Sequence, residues 1–256
     1  LEARDLLYRV GKKVLLSETS LDFAPGRFHV IMGPNGAGKT TLLQLLAGEL
    51  KPASGTVTLN GQSVAAFSPL ELARQRAVLS QHYALQFPIG VREVVRLGRY
   101  PHAGVLPRKE EEDLINACLE ALDMLDFSER DYNTLSGGEA QKVQMARVLA
   151  QLGGTDAIAK LLFLDEPVSH LDVQFQQRLL QSARSLATRG NTVIAVLHDI
   201  NLALRYADRL LFLKEGSLHY DINDPALLTT AMIEDVFAVR TKLVAQDGGA
   251  PVVVFE

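Results

Sequence analysis

Cysteine is nearly absent from this sequence, and Cys118 is the only one among 256 residues. A single thiol excludes an intramolecular disulfide and any zinc or iron–sulfur site built from several cysteines. The scarcity of cysteine also suits a reducing compartment. We therefore expect the protein to reside in the cytoplasm.

The chain also lacks an excess of positive charge and a long apolar run. Its formal net charge is −4 and its pI is near 5.9. A generic nucleic-acid binder needs a clustered cationic surface to release counterions from phosphates, so this balance argues against one. No apolar run approaches the ~20 residues that cross a bilayer, and Glu2, Arg4 and Asp5 interrupt the first apolar positions. We expect a protein that is soluble or held at a membrane through a partner.

What is present is sufficient for one packed α/β module. Apolar residues make up 47% of the chain, and we find no internal repeat, low-complexity tract or long linker. We expect one domain over residues 1–256 with two lobes. A core with an antiparallel β part would occupy 1–86 and 157–256, and a helical subdomain would occupy approximately 87–156.

Hydrophobic patterns indicate alternating strands and helices in the core. Apolar runs at 28–32, 161–164 and 192–197 predict buried strands, and a helix at 174–187 separates the last two. This βαβ order implies a mainly parallel sheet.

Shorter patterns complete the outline. A strand at 56–61 ends in an Asn-Gly turn, and a hairpin at 210–220 turns at Glu-Gly. Apolar residues at helical spacing in 93–98 and 109–125 predict the helical insertion.

The most informative motif is Gly-Pro-Asn-Gly-Ala-Gly-Lys-Thr at 33–40, which matches the phosphate-loop pattern G-x-x-x-x-G-K-[ST]. It lies where a strand gives way to a helix, so backbone N–H groups can point at an anion at the positive end of the helix dipole. Gly33, Gly36 and Gly38 permit the tight backbone path. Lys39 would reach the β- and γ-phosphates, and the Thr40 hydroxyl would ligate Mg²⁺. Pro34, Asn35, Ala37 and Thr41 complete the predicted nucleotide-binding set.

Two adjacent carboxylates, Asp165 and Glu166, end the apolar strand at 161–164. Ligands of α/β sheets bind at this carboxyl end of the strands. Asp165 would hold Mg²⁺, directly or through water, and Glu166 would polarise the attacking water as a general base. The alternative is a pair of solvated carboxylates at a strand end.

A third motif, Leu-Ser-Gly-Gly-Glu at 135–139, opens a helix. Ser136 and Glu139 have the spacing of a helix capping box, which is a purely structural interpretation. Gly137 and Gly138 also leave backbone N–H groups bare of side-chain bulk, and this is a second anion-binding geometry. One chain with two phosphate-binding elements needs an explanation.

The order of these three motifs resembles the ATP-binding cassette (ABC) family of transporter ATPases, and the resemblance covers nearly the whole chain. It implies a P-loop NTPase core with a mainly parallel sheet, an antiparallel β subdomain and a helical subdomain. It also implies that 135–139 is the family's signature motif, which contacts the γ-phosphate of ATP held by another copy. ATP hydrolysis would then need a head-to-tail dimer that shares two ATP sites.

Further residues resemble the family's motifs by position. Gln81, after the strand at 77–80, resembles the glutamine of the Q-loop, which contacts Mg²⁺ and water. His198 resembles the switch histidine, which contacts the γ-phosphate and holds the attacking water with Glu166. Asp172 matches the D-loop, which crosses the dimer interface.

Several positions leave alternatives open. The family places an aromatic residue on adenine near Tyr8, but Val10 is an alternative alignment, and Tyr8 could belong to the core. Gln81 could be a polar strand end, and a strand-end histidine such as His198 is, taken alone, more often structural. His170 replaces the usual alanine of the D-loop, and we hypothesise that its titration tunes dimer closure between about pH 6 and 7.

The type of transporter is implied by the same resemblance. A cassette without its own membrane span is typical of bacterial importers. Segments 91–102 and 198–208 are similar to importers of iron-siderophores, haem and vitamin B12, and 81–88 and 151–160 most resemble haemin importer ATPases. The implied function is an ATPase at the cytoplasmic face of the inner membrane that powers haem uptake. A ferric siderophore or vitamin B12 is the alternative cargo, and a soluble, non-transport ABC ATPase is a less similar class.

The resemblance also implies partners: a second copy of the chain, two transmembrane permease subunits and, indirectly, a periplasmic substrate-binding protein. Neither nucleic acid nor direct haem binding is expected, and His102 is expected to be structural. Tyr83, Leu85, Phe87 and Ile89 would form a groove for a permease helix or belong to the core.

Overall fold

The computed structural model of the chain describes residues 1–80, 87–154, 159–169, 171–246 and 250–256. The strands are β1 Glu2–Val10, β2 Lys13–Asp22, β3 Phe28–Met32, β4 Ser54–Leu59, β5 Gln62–Ser63, β6 Arg76–Leu79, β7 Leu161–Asp165, β8 Thr192–Val196, β9 Arg209–Lys214, β10 Ser217–Ile222, β11 Thr241–Val244 and β12 Val252–Phe255. The α-helices are α1 Lys39–Ala47, α2 Pro69–Gln75, α3 Val91–Leu97, α4 Arg108–Glu120, α5 Gly137–Leu152, α6 Val173–Thr188, α7 Ile200–Tyr206 and α8 Thr230–Phe237.

The central sheet has six strands in the order β10-β9-β3-β8-β7-β6. Every pair is parallel except β9 and β10, which form the hairpin predicted at 210–220. Strands β3, β7 and β8 are buried at every position, because helices cover both faces of a parallel sheet. Glu215 and Gly216 both have positive φ at the predicted hairpin turn.

A second sheet of four antiparallel strands has the order β2-β1-β4-β5. Strands β4 and β5 turn at Asn60-Gly61, where both residues have positive φ as a two-residue hairpin requires. The antiparallel sheet, helix α1 and one face of the central sheet enclose one hydrophobic core, which contains Leu6, Leu42 and Phe163. The α1 helix is therefore held between the two sheets.

Helices α3, α4 and α5 pack on one another and fill the segment between β6 and β7. The prediction for 109–125 was too long, because α4 ends at Glu120 and a separate turn of 3₁₀ helix covers Leu125–Phe127. Arg99 is only 1% exposed, and its guanidinium donates to the carbonyl oxygens of Ala150 and Gly153 at the carboxyl end of α5. A cation stabilises this negative end of the helix dipole.

The remaining core lies on the opposite face of the central sheet and continues into the helices. It joins residues such as Val95, Leu119 and Val148 to Leu164 and Phe212. Within the described ranges, none of the helices combines the length and the apolar character needed to cross a membrane. The predicted fold class, a mainly parallel sheet with an antiparallel β part and a helical part, is confirmed.

The crossing of α3 and α5 yields a stability prediction. Gly98 ends α3 with an ordinary helical backbone, but a Cβ there would overlap the carbonyl oxygen of Arg147 in α5. We expect Gly98→Ala to lower the free energy of unfolding by about 2 kcal/mol, as overpacking does, measured by urea denaturation.

The matched control is Gly90→Ala at the other end of α3. Gly90 also has negative φ, and the nearest atom to its Cβ would be 4.0 Å away, so we expect a loss below about 1 kcal/mol. Wild-type stability of Gly98→Ala would mean that α3 and α5 are not in close backbone contact.

Candidate nucleotide-binding site

The predicted site residues leave the same edge of the central sheet. Ile31 of β3 pairs with Val196 of β8, and Val196 also pairs with Asp165 of β7. Because these strands are parallel and in register, the chain emerges at one edge just beyond all three positions. The phosphate loop, Glu166 and His198 follow directly, so the fold places them side by side.

The phosphate loop takes the strained path that its glycines permit. Gly33 has φ 147°, and a Cβ there would overlap the carbonyl oxygen of Leu213 in β9. Gly38 has φ 94°, and its Cβ would lie 2.7 Å from the carbonyl oxygen of Leu15 in β2. Gly36 has φ 79° but faces open space. Two of the three glycines are therefore required by the surrounding backbone as well as by the loop itself.

Lys39 begins α1 and is 6% exposed. Its Nζ donates to the carbonyl oxygens of Gly33 at 2.9 Å and Pro34 at 3.0 Å, so the ammonium lies inside the loop. Burial lowers the pKa of Lys39, and the nearby carboxylates of Glu166 and Asp165 only partly offset this. An anion bound in the loop would stabilise the charge of this buried ammonium.

Thr40 and Asp165 join the loop to the central strand β7. The Thr40 hydroxyl donates to Oδ1 of Asp165 at 3.1 Å. Asp165 is 4% exposed, and burial raises its pKa, with a further rise caused by Glu166. A hydroxyl and a poorly solvated carboxylate are oxygen ligands of the kind Mg²⁺ prefers, so this donor set fits a magnesium ion.

Glu166 and His198 form a pair beside the loop. Glu166 has φ 49°, a left-handed backbone that a glutamate rarely adopts, and this turn follows β7 directly. Oε1 of Glu166 lies 2.6 Å from Nε2 of His198, which leaves β8 next to it. The fold therefore holds a carboxylate and an imidazole in contact at the edge where a nucleotide phosphate would lie.

A cavity of about 260 Å³ lies over the loop and is lined by residues 35–41, Lys13, Leu15 and Glu166. Lys13 and Leu15 were not predicted. They come from β2 of the antiparallel sheet, and no motif around them indicates that β2 folds over the loop. Gly216 holds the loop and β2 together, since its N–H donates to Ala37 at 3.2 Å and its carbonyl accepts from Ser17 at 2.7 Å.

The Leu-Ser-Gly-Gly-Glu motif forms the capping box expected on structural grounds. The Ser136 N–H and hydroxyl both donate to Oε2 of Glu139, at 2.8 and 2.6 Å. These hydrogen bonds lower the pKa of Glu139. Residues 136–139 are at least partly exposed at the start of α5 and do not line the cavity over the loop. Within one copy, the structure does not bring this motif to the phosphate loop.

The start of α5 is nevertheless hydrogen-bonded to the segment that carries Glu166. Nε2 of Gln141 donates to the carbonyl oxygen of Pro167 at 2.5 Å, and Pro167 directly follows Glu166. Asp172 is exposed and caps α6 by accepting from the Phe175 N–H at 2.9 Å.

Tyr8 is only partly buried, packs on the core beneath the antiparallel sheet and does not line the cavity. Val10, the alternative, is 59% exposed on the same strand and does not line the cavity either. The assignment of an adenine contact to Tyr8 stays a prediction. Gln81, His170 and the groove residues Tyr83 and Leu85 lie outside the described residues.

Comparison with known proteins decides the family. The family model described as ABC transporter matches residues 16–169, which contain all three motifs. The chain belongs to the ABC transporter family. It is accordingly an ATP-binding subunit with ATPase activity.

Similar proteins cover nearly the whole chain. The hemin import ATP-binding protein HmuV of Methylobacillus flagellatus is 42% identical over 95% of this chain and 91% of its own length. The HmuV proteins of Rhodopseudomonas palustris CGA009 and Pseudomonas entomophila are 43% and 44% identical, over 100% and 93% of this chain and 94% and 92% of their own lengths.

Solved structures agree on the fold. The ATP-binding cassette MJ0796, a dimer in a post-hydrolysis state with ADP and Pi, superposes with a TM-score of 0.75 at 26% identity, covering 87% of this chain and 97% of its own. An ABC transporter in an inward-facing conformation has a TM-score of 0.79 at 24% identity and covers 100% of this chain and 95% of its own.

The burial of Asp165 yields a prediction about pH. Because its pKa is raised above 3.8 in the folded state, ionisation costs more in the fold than in the unfolded chain. We expect Asp165→Asn, which keeps the oxygen that accepts from Thr40, to raise the free energy of unfolding at neutral pH. The gain should be full above the raised pKa of folded Asp165, shrink as the pH falls through that pKa, and vanish below 3.8, where both states of the wild type become protonated.

A partly buried aspartate, Asp208, provides a control of opposite sign. Burial works to raise the pKa of Asp208, but hydrogen bonds from Arg184 and the Phe28 N–H outweigh it and lower the pKa. Asp208→Asn should therefore reduce the free energy of unfolding at neutral pH. Urea denaturation from roughly pH 4 to 8 measures the change in the free energy of unfolding for each variant. A change of the same sign in both variants would contradict the opposite pKa shifts assigned to Asp165 and Asp208.

Proposed function

We propose that the chain is the ATP-hydrolysing subunit of a bacterial haem importer. The support is its 42–44% identity, over more than nine-tenths of its length, to proteins that carry the name hemin import ATP-binding protein. The chain would lie at the cytoplasmic face of the inner membrane against two permease subunits. A periplasmic binding protein would deliver the haem, and the cargo would not touch this chain.

The observation that carries the catalytic part of the proposal is the Glu166–His198 contact beside the phosphate loop. Glu166 acts as the general base toward a water molecule, and His198 holds that water and the γ-phosphate. Lys39 contributes its buried charge to the β- and γ-phosphates. Gln81 completes this group as a contact to the metal and the water.

Mg²⁺, when bound, neutralises charge on the phosphates during transfer. Thr40, Asp165 and Gln81 would hold it. The loop residues 33–41 cradle the triphosphate through their backbone, and this chain's own contribution is to fix the phosphates before the water attacks.

A second copy completes each site. Ser136, Gly137, Gly138 and Glu139 form the at least partly exposed start of α5 and do not line the cavity over the loop of their own chain. A helix N-terminus attracts anions, so we assign these residues to the ATP of the partner copy in a head-to-tail dimer. Asp172, exposed at the start of α6, lies at that interface, and Tyr8 is the proposed adenine contact.

Glu166→Gln tests the catalytic assignment. Removing the base should lower the ATPase rate by about 10²–10⁴-fold, because general-base catalysis contributes that much. Binding of a fluorescent ATP analogue should be retained, and dimers should accumulate with ATP by size-exclusion chromatography. Glu129→Gln, at a surface glutamate whose side chain is 87% exposed, is the control and should keep full activity. Wild-type turnover of Glu166→Gln would refute the role of Glu166.

The cargo needs a separate test. The complex with its permease, reconstituted in liposomes, should hydrolyse ATP faster with a haem-loaded binding protein than with one loaded with a ferric siderophore or cobalamin. Stronger stimulation by the siderophore-loaded or the cobalamin-loaded binding protein would identify that compound, and not haem, as the cargo. Failure to purify with any membrane partner would favour a soluble ABC ATPase.

A further inference from the structure

The side chain of Asn201 in α7 is hydrogen-bonded to the backbone of β12 in both directions. Its Nδ2 donates to the carbonyl oxygen of Val253 at 3.1 Å, and its Oδ1 accepts from the Val253 N–H at 2.8 Å. The amide thus pairs with Val253 as a neighbouring strand would. Val253 lies on an edge strand, and this one side chain satisfies both its N–H and its carbonyl oxygen.

Val253 belongs to a small hairpin that depends on such anchors. Strands β11 and β12 form a separate two-stranded sheet, and a sheet of two strands is marginally stable alone. Val253 is 3% exposed and packs in the core that lies between the central sheet and the helices on its other face. The hairpin has a second anchor at α8, where Oε1 of Glu234 accepts from the Thr241 N–H at 3.2 Å.

Asn201 itself lies three residues after His198, one member of the candidate catalytic pair. His198 precedes Asp199, which caps α7 by accepting from the N–H groups of Asn201 at 2.7 Å and Leu202 at 3.1 Å. Asn201 therefore lies in the first turn of α7, three positions after the imidazole. Any shift of this turn moves His198 relative to Glu166.

Apolar packing alone constrains the rotation of this turn only weakly. Ile200 and Leu202 are buried, but hydrophobic contact is non-directional and tolerates small rotations of a seven-residue helix. The hydroxyl of Tyr206, which donates to Gln177 at 2.6 Å, fixes only the far end of α7. The two hydrogen bonds of Asn201 are directional, and they fix the distance and the rotation at the end that carries His198.

We propose that Asn201 is a positioning residue for ATP hydrolysis, which holds the first turn of α7 against β12 and so keeps His198 in place beside Glu166. The proposal rests on the role proposed above for His198. Asn201 does not line the cavity over the loop, and its side chain hydrogen-bonds to Val253, so its effect would be transmitted through the backbone.

The test is the kinetics of Asn201→Ala in the full chain. Misplacing a catalytic group slows the chemical step, so kcat should fall about tenfold while KM for ATP stays near the wild-type value. Glu234→Ala is the matched control, because it removes the other side-chain anchor of the same hairpin without touching α7. Its kcat should stay within about twofold of wild type, since it leaves the Asn201 pair intact.

A second variant keeps the proposal testable if Asn201→Ala does not fold. Asn201→Asp keeps the acceptor for the Val253 N–H, and a carboxylate in the first turn of a helix is favoured by the dipole. It loses the donor to the Val253 carbonyl, so a folded Asn201→Asp should also have lower kcat at unchanged KM. Wild-type kcat in a folded Asn201→Asp and Asn201→Ala would overturn the proposal, as would an equal loss in Glu234→Ala.

A double-mutant cycle with His198→Ala distinguishes failure of this proposal from failure of the role proposed for His198. If Asn201 acts through His198, then Asn201→Ala should cause no further loss of kcat in the His198→Ala background. Full additivity would overturn the proposal while leaving the role of His198 intact. Wild-type activity of His198→Ala would overturn both.

Discussion

Strands β3, β8 and β7 are hydrogen-bonded in one parallel register, and every candidate catalytic group depends on it. Ile31, Val196 and Asp165 lie in one row, so the phosphate loop, His198 and Glu166 start from the same level of the sheet. A slip of one residue in any pair would point alternate side chains to the other face and move a strand end by about 3.3 Å. The continuous burial of these strands, which fixes the register, is therefore a requirement of the chemistry as well as of stability.

Contacts from elsewhere in the chain complete this edge. Gly216 joins the phosphate loop to β2, and β2 supplies Lys13 and Leu15 to the cavity. The loop is thus held from below by its own strand and from the side by a separate sheet. Gly33 lies against Leu213 of β9 and Gly38 lies against Leu15 of β2, which explains why a side chain is excluded at both positions even before a phosphate binds.

Much of the fold and of the site could be predicted from sequence because its signals are local. Apolar runs, the Asn60-Gly61 and Glu215-Gly216 turns and the Ser136–Glu139 box are each written in a few neighbouring residues, and each forms as the local physics requires. The positions of Lys13, Leu15 and Asn201 depend on which distant strand packs beside them, and no local pattern records that. The predicted length of α4 was too great because hydrophobic spacing does not record where the backbone turns. Asp123, with φ 53°, turns the chain where the apolar spacing alone would have allowed the helix to continue.

The hydrogen bond from Gln141 to Pro167 has a consequence for the dimer proposed above. In a head-to-tail arrangement, α5 would begin at the ATP of the partner copy, while Pro167 adjoins Glu166, which we assign to the chain's own ATP. The start of α5 would then connect a neighbour's nucleotide to the segment that carries Glu166 in its own chain. The two sites of such a dimer would then be coupled through α5, and loss of one nucleotide would affect the other site without any change in the membrane subunits.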